Sequence, residues 1–299
     1  MWAVDLNAQS MSPANPVVVH SEDTVTVRDG TKLHTYRWTS DVADAKTGGV
    51  VLMAHGYSEY GRRYDELARY LVSQGFPVYG YDARGHGFSP GQRGHIDRYA
   101  RYVDDCTDVA KDLTQKYPKR PLILLGHSNG GLTVLRTVQR GEAPVAGLVM
   151  SCPMVALRRR HRPMSHRAAT ITAALLSRVP LPNGIDPQQL THDAGIAEAW
   201  RADPMNHGKT TPRWYLNALD AMEAAWREAD KVSLPVLTLA AERDSVVDTK
   251  RLKEFAATLA SPDRELLEIP EAFHEVLQEV DRAETFRKIG QWLSSRFAR

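Results

Sequence analysis

Residues 121–131, PLILLGHSNGG, drive an apolar run straight into a serine flanked by glycines. Leu122, Ile123, Leu124 and Leu125 do not alternate with polar residues, which suits a strand covered on both faces. Gly126-His127-Ser128-Asn129-Gly130 then fits G-x-S-x-G, and GLTVLRTVQR at 131–140 reads as a helix. A turn this sharp between strand and helix holds the serine in a strained backbone conformation. Glycines two residues to either side remove the side chains that would collide there. The hydroxyl projects above the carboxyl ends of the strands, beside the positive end of a helix. Ser128 is therefore the candidate nucleophile.

Working outward, further apolar runs stand at 49–56 (GVVLMAHG), 77–87 (PVYGYDARGHG), 147–153 (GLVMSCP), 234–244 (LPVLTLAAERD) and 264–270 (RELLEIP). Residues 24–28 and 33–38 flank Asp29-Gly30 and predict an opening hairpin. Helical patterns fill the gaps at 64–75, 98–118, 249–260 and over the last residues. The alternation predicts an α/β fold, doubly wound, with a mostly parallel eight-stranded sheet and helices on both faces. From about Met154 to Val232 the rhythm stops. No strand is expected there, and prolines at 163, 180, 182, 187, 204 and 212 cut the segment into short helices. The expected organisation is a core of residues 1–153 and 233–299, with residues 154–232 inserted after the sixth strand as a helical cap.

A serine hydroxyl needs a base, and the base needs a carboxylate. In this architecture the chain order is serine, then acid, then histidine. Asp244 follows the run VLTLAA and is the candidate acid; Glu242 and Asp248 are its rivals, Asp248 reading better as a helix cap. His274, in the loop after the last strand, is the candidate base. The developing oxyanion needs donors, for which the backbone N–H groups of Asn129 and Tyr57 are the candidates.

The segments HGYSEYGRRYDELARYL (55–71), YDARGHGFSPGQRGH (81–95), GHSNGG (126–131), ERDSVVD (242–248) and FHEVLQE (273–279) resemble the monoacylglycerol lipase and lysophospholipase branch of the α/β-hydrolases. The resemblance runs from about Gly49 to the end. It implies the same nucleophile, acid, base and oxyanion donors, and it implies that His55, Asp82 and His86 are architecture. The chain departs from the branch at Ser58, where glycine is usual, at Tyr60, where histidine is frequent, and at Asn129, where methionine is usual.

The expected reaction is hydrolysis of a carboxylic ester through an acyl-enzyme on Ser128, on monoacylglycerols or similar single-chain lipid esters. A short-chain carboxylesterase or lysophospholipase is the alternative; an acyltransferase or a non-catalytic binding protein of the same fold stands further off. Glu59 and Arg63 are expected near the polar end of the substrate, and Leu175, Leu176 and Val179 along its acyl chain. No cofactor or metal is expected: His161 and His166 lie among arginines, and no Cys/His cluster has ligand spacing. With 38 basic and 36 acidic residues, net charge +2, the chain offers no overall basic field for nucleic acid. The two cysteines do not make a disulfide framework. No run approaches the roughly 20 apolar residues of a membrane span, and the first residues do not read as a signal peptide, so a cytoplasmic location is expected. The basic run 158–162, continued at His166-Arg167, is a candidate for transient contact with a membrane surface.

Overall fold

The apolar runs form one mixed sheet in the computed structural model, which describes residues 17–41, 43, 48–158, 170–172 and 176–298. The strands are β1 (Val19–Thr26), β2 (Lys32–Thr39), β3 (Val50–Ala54), β4 (Val78–Tyr81), β5 (Leu122–His127), β6 (Val145–Ser151), and, after a short pair β7 (Leu181–Pro182) and β8 (Lys209–Thr210), β9 (Val236–Ala241) and β10 (Arg264–Ile269). The eight-stranded sheet has the order β1-β2-β4-β3-β5-β6-β9-β10. The hairpin β1–β2 is antiparallel, as is the β2–β4 pair, and every later pairing is parallel. β1 begins several residues before the predicted strand, because all eight of its residues find partners along β2.

Alternate residues of the central strands enter two separate cores, which explains their continuous hydrophobicity. Leu122 and Leu124 face one core with Val50, Leu52, Leu148 and Val236. Ile123 and Leu125 face the other with Val51, Met53, Val149 and Leu237. Helices α1 (Asp65–Ser73) and α7 (Arg282–Phe297) cover the second core through Leu67, Leu71, Ile289 and Leu293. Helices α2 (Ala100–Lys116), α3 (Asn129–Arg140) and α6 (Thr249–Thr258) cover the first, through Val103, Leu135 and Phe255 among others. The architecture is the α/β-hydrolase fold.

Between β6 and β9 the chain forms α4 (Ala194–Ala202) and α5 (Pro212–Arg227), together with the β7–β8 pair. That pair corrects the strandless reading of this segment; two residues per strand are too few to carry any periodicity. Thr211 caps α5 by accepting from the Trp214 N–H, with Pro212 at the first helical position. Trp214, Ala218 and Met222 of α5 join the first core, so this helix packs on the sheet domain's own helices. No helix among the described residues is long and apolar enough to cross a membrane.

Candidate active site

β5 ends where Ser128 adopts φ +52° and ψ −114°, a conformation uncommon for a residue with a side chain. Two features hold it there. The Ser128 N–H donates to the Ser151 carbonyl at 2.9 Å, and the Ser128 carbonyl accepts from the Met154 N–H at 2.9 Å. The turn is also too tight for side chains on either flank. A Cβ on Gly126 would stand 2.4 Å from the Gly130 carbonyl oxygen, and one on Gly130 would stand 2.1 Å from that of Ala54.

Two loops converge on this turn. Ser128 Oγ lies 2.9 Å from His274 Nε2, and His274 Nδ1 lies 2.8 Å from Asp244 Oδ2. The second Asp244 oxygen accepts from the N–H groups of Val246 and Val247 at 2.7 and 2.8 Å. Burial works against the charge on Asp244, but His274 and these two donors outweigh it and hold the carboxyl below its ordinary range. Burial likewise works against an imidazolium, and Asp244 outweighs it, holding His274 above the ordinary histidine value. The neighbouring His127 has no such partner; burial, reinforced by His274, pushes it down to about 3, so it is neutral. The rival acids are occupied elsewhere. Asp248 caps α6 by accepting from the Arg251 N–H, and Glu242 accepts from the Glu271 N–H.

Ser128 and His274 open into a cavity of ≈ 360 Å³ whose wall includes Tyr57 and Val246 from the sheet domain. The segment between β6 and β9 supplies other parts of the wall, including Met154, Leu157, Ile185, Leu190, Trp200 and Trp214. Tyr57 lies against this cavity, with its ring stacked on Trp214 at 3.8 Å. The Asn129 side chain turns away, accepting from the Tyr99 hydroxyl at 2.9 Å, which leaves only its backbone near the serine.

The expected substrate contacts need correction. Arg63 is absent from the cavity wall. Its guanidinium lies between Glu59 and Glu275, pairing with both, and donates to Glu275 Oε2 at 2.8 Å. Glu59 reaches the wall, but its carboxylate also accepts from the Gly56 N–H at 2.6 Å and the Tyr64 hydroxyl at 2.5 Å. Burial opposes the charge on Glu59, and Arg63 overcomes it, so the carboxyl lies below its ordinary range. Leu176 and Val179 face outward, 48% and 42% exposed, and do not line the cavity. Leu175 lies outside the described residues, as does most of the basic run 158–167. Sequence reasoning missed Glu275, which stands beside His274 and completes the arginine's coordination from 212 positions away. The signal available was the i, i+4 pairing of Glu59 with Arg63.

His55, Asp82 and His86 are structural. The His55 ring bridges two turns, with Nδ1 2.7 Å from the Gly56 carbonyl and Nε2 accepting from the Ala83 N–H at 2.9 Å. Asp82 accepts from the Tyr36 hydroxyl and from the N–H groups of Gly61 and Phe88. His86 is fully buried, with Nδ1 2.9 Å from the Arg84 carbonyl. Among the described residues one set of ligand-type atoms converges, on Cys152, Asp244 and His274, all within 4.8 Å. Asp244 and His274 already pair, and burial, then Asp244, pushes the Cys152 thiol well above its ordinary range.

The family described as serine aminopeptidase, S33, matches residues 45–281. A monoacylglycerol lipase of Mycolicibacterium smegmatis is 29% identical over 86% of this chain and 91% of its own. Phospholipase YtpA of Bacillus subtilis is 26% identical over 84% of this chain and 96% of its own. The crystal structure of a Paleococcus ferrophilus monoacylglycerol lipase superposes with a TM-score of 0.80 at 28% identity, covering 88% of this chain and 99% of that one. With its fold, its strand-to-helix serine turn and these relatives, the chain belongs to the serine aminopeptidase S33 family of α/β-hydrolases, on the monoacylglycerol lipase and lysophospholipase branch.

Proposed function

We propose that this protein is a serine hydrolase that cleaves monoacylglycerols or similar single-chain lipid esters, with Ser128 as nucleophile, His274 as base and Asp244 as the acid that orients it. The carrying observation is the hydrogen-bonded chain from Ser128 through His274 to Asp244, opening into a largely apolar cavity. Ser128 Oγ attacks the ester carbonyl carbon as its proton passes to His274 Nε2. The carbonyl oxygen becomes an oxyanion at the N–H groups of Tyr57 and Asn129. The C–O bond breaks, the alcohol leaves with the proton from His274, and water releases the acyl group by the same steps in reverse order.

In this reading residues 154–232 are a cap over the serine. A wall of Trp200, Trp214, Ile185 and Leu190 suits an acyl chain, each buried methylene contributing about 0.8 kcal/mol. Cleavage of a lysophospholipid by the same chemistry is the second reading, favoured by the relative named as a phospholipase. Peptidase activity fits less well, because both carboxylates in the wall, Glu59 and Glu275, are committed to Arg63 and would not be free for a substrate ammonium. Two free, buried cysteines suit a cytoplasmic home. Exposed Ile171, Leu176 and Val179, close in sequence to the basic run, support transient contact with a lipid surface; undiminished vesicle binding after their replacement by serine would retire that part. The main test compares specific activity on mono-, di- and triacylglycerol of equal acyl length with short nitrophenyl esters. Monoacylglycerol should be fastest. Faster triacylglycerol turnover contradicts a single-chain passage, and a sharp preference for acetate identifies a short-chain esterase.

A further inference from the structure

The turn after β3 sends the side chains of four consecutive residues in two directions. Glu59 points into the sheet domain, to the Gly56 N–H and the Tyr64 hydroxyl. Its neighbours reach the segment between β6 and β9. The Tyr57 hydroxyl donates to the Lys209 carbonyl at 2.9 Å, Ser58 Oγ accepts from Asn183 Nδ2 at 2.8 Å, and the Tyr60 hydroxyl donates to Asp203 Oδ2 at 2.7 Å. The Ser58 carbonyl is also held, accepting from the His207 N–H at 3.0 Å.

Both partner side chains are fixed before they reach the turn. Asn183 Oδ1 accepts from the Ile185 N–H at 3.0 Å, and the Asn183 N–H donates to the Gly208 carbonyl at 2.9 Å, which aims Nδ2 at Ser58. Asp203 Oδ1 accepts from the Met205 N–H at 2.8 Å, leaving Oδ2 for Tyr60. Ser58 itself is fully buried at φ +70°, in the left-handed region that favours glycine. Backbone strain of this kind persists where the surroundings over-determine it, and here the over-determining contacts come from the segment between β6 and β9.

We propose that Asn183 and Asp203 are positioning residues for ester hydrolysis: acting through Ser58 and Tyr60, they fix the turn that aims the Tyr57 N–H at the developing oxyanion. The inference rests on the reading of that N–H as an oxyanion donor. A donor of this type works only within about 0.5 Å and 10–20° of its productive geometry, and Ser58 is the residue immediately after the donor. The segment thus completes the machinery as well as shaping the passage to it.

The test uses p-nitrophenyl butyrate, whose short acyl chain makes little use of the apolar wall. Asn183→Ala and Asp203→Ala remove the bonds from one side; Ser58→Ala and Tyr60→Phe remove the same bonds from the other. Each should lower kcat about ten-fold, a fraction of the 10²–10³ lost with a whole oxyanion donor, while KM stays within about two-fold. Affinity for a trifluoromethyl ketone, which forms a tetrahedral adduct, should fall by the same factor as kcat. Where one variant melts early, its partner on the opposite side of the same bond decides. Unchanged kcat in folded variants overturns the proposal, as does a rise in KM alone, which would mean that the segment only shapes the passage. Full turnover in Ser128→Ala would instead overturn the underlying functional reading, so the two failures are distinguishable.

Discussion

Replacing Arg63 with methionine removes the single cation from between two buried carboxylates. The side chains of Glu59 and Glu275 are only 3% and 7% exposed, and that of Arg63 10%, so water can compensate little. Deleting one partner of a buried ion pair costs about 3–5 kcal/mol, because the remaining charge stays desolvated. For a chain of this size that corresponds to a Tm lower by roughly 5–8 °C. The pH dependence gives the sharper check. In the wild type the Glu59 carboxyl is held below its ordinary value, so its contribution is present above the unfolded value near 4.5 and is lost as pH falls. Without Arg63, burial loses the charge that most opposes it, leaving the Gly56 N–H and the Tyr64 hydroxyl as weaker counterweights, and the folded value rises. The variant then loses stability as pH climbs through that raised value, and the deficit against wild type is largest at neutral pH and narrows toward pH 5. Thermal melting by circular dichroism at pH 5 and pH 8 measures both effects. A deficit below about 1 kcal/mol, the scale of an exposed pair, or a deficit of equal size at both pH values, would refute the reasoning.

Asp244→Asn should lower kcat by about 10⁴, the scale seen when a triad carboxylate is replaced and the histidine takes the wrong tautomer, whereas Asp248→Asn should cost only about 1 kcal/mol of stability, as a lost helix cap; steady-state kinetics and melting on the two variants separate them, and the reverse ranking would move the acid to Asp248. The acid limb of the kcat/KM profile should follow His274, with activity falling as pH drops through a value above the ordinary histidine 6.5, since the protonated ring cannot take the serine proton. A limb well below that value would contradict the coupling of His274 to Asp244.

The fold was legible because its strands are buried on both faces. Runs such as LILL at 122–125 cannot be amphipathic when alternate residues feed two cores. The serine turn was legible because its backbone tolerates only glycine at 126 and 130, and a steric demand of that kind leaves a mark in sequence. What surrounds the serine was less so. Glu59 and Arg63 read as polar residues available to a ligand, but a partner more than 200 positions away consumes the arginine, and no local pattern announces such a pairing. Leu176 and Val179 are apolar yet face outward, while the cavity is lined by Ile185, Leu190 and Trp200 from irregular or short elements without a periodic stripe. Ser58 and Tyr60 read only as departures from the branch's usual residues; their partners, Asn183 and Asp203, belong to a segment whose docking on the turn is a tertiary fact.

The most direct test of the account treats the purified protein with a fluorophosphonate and follows intact mass, the position of the adduct and esterase activity together. One adduct per chain is expected, on Ser128, with activity lost in proportion to labelling and with Ser128→Ala neither labelled nor active. A fully labelled protein that still turns over ester, or an adduct that forms on another residue while Ser128 stays free, would contradict it.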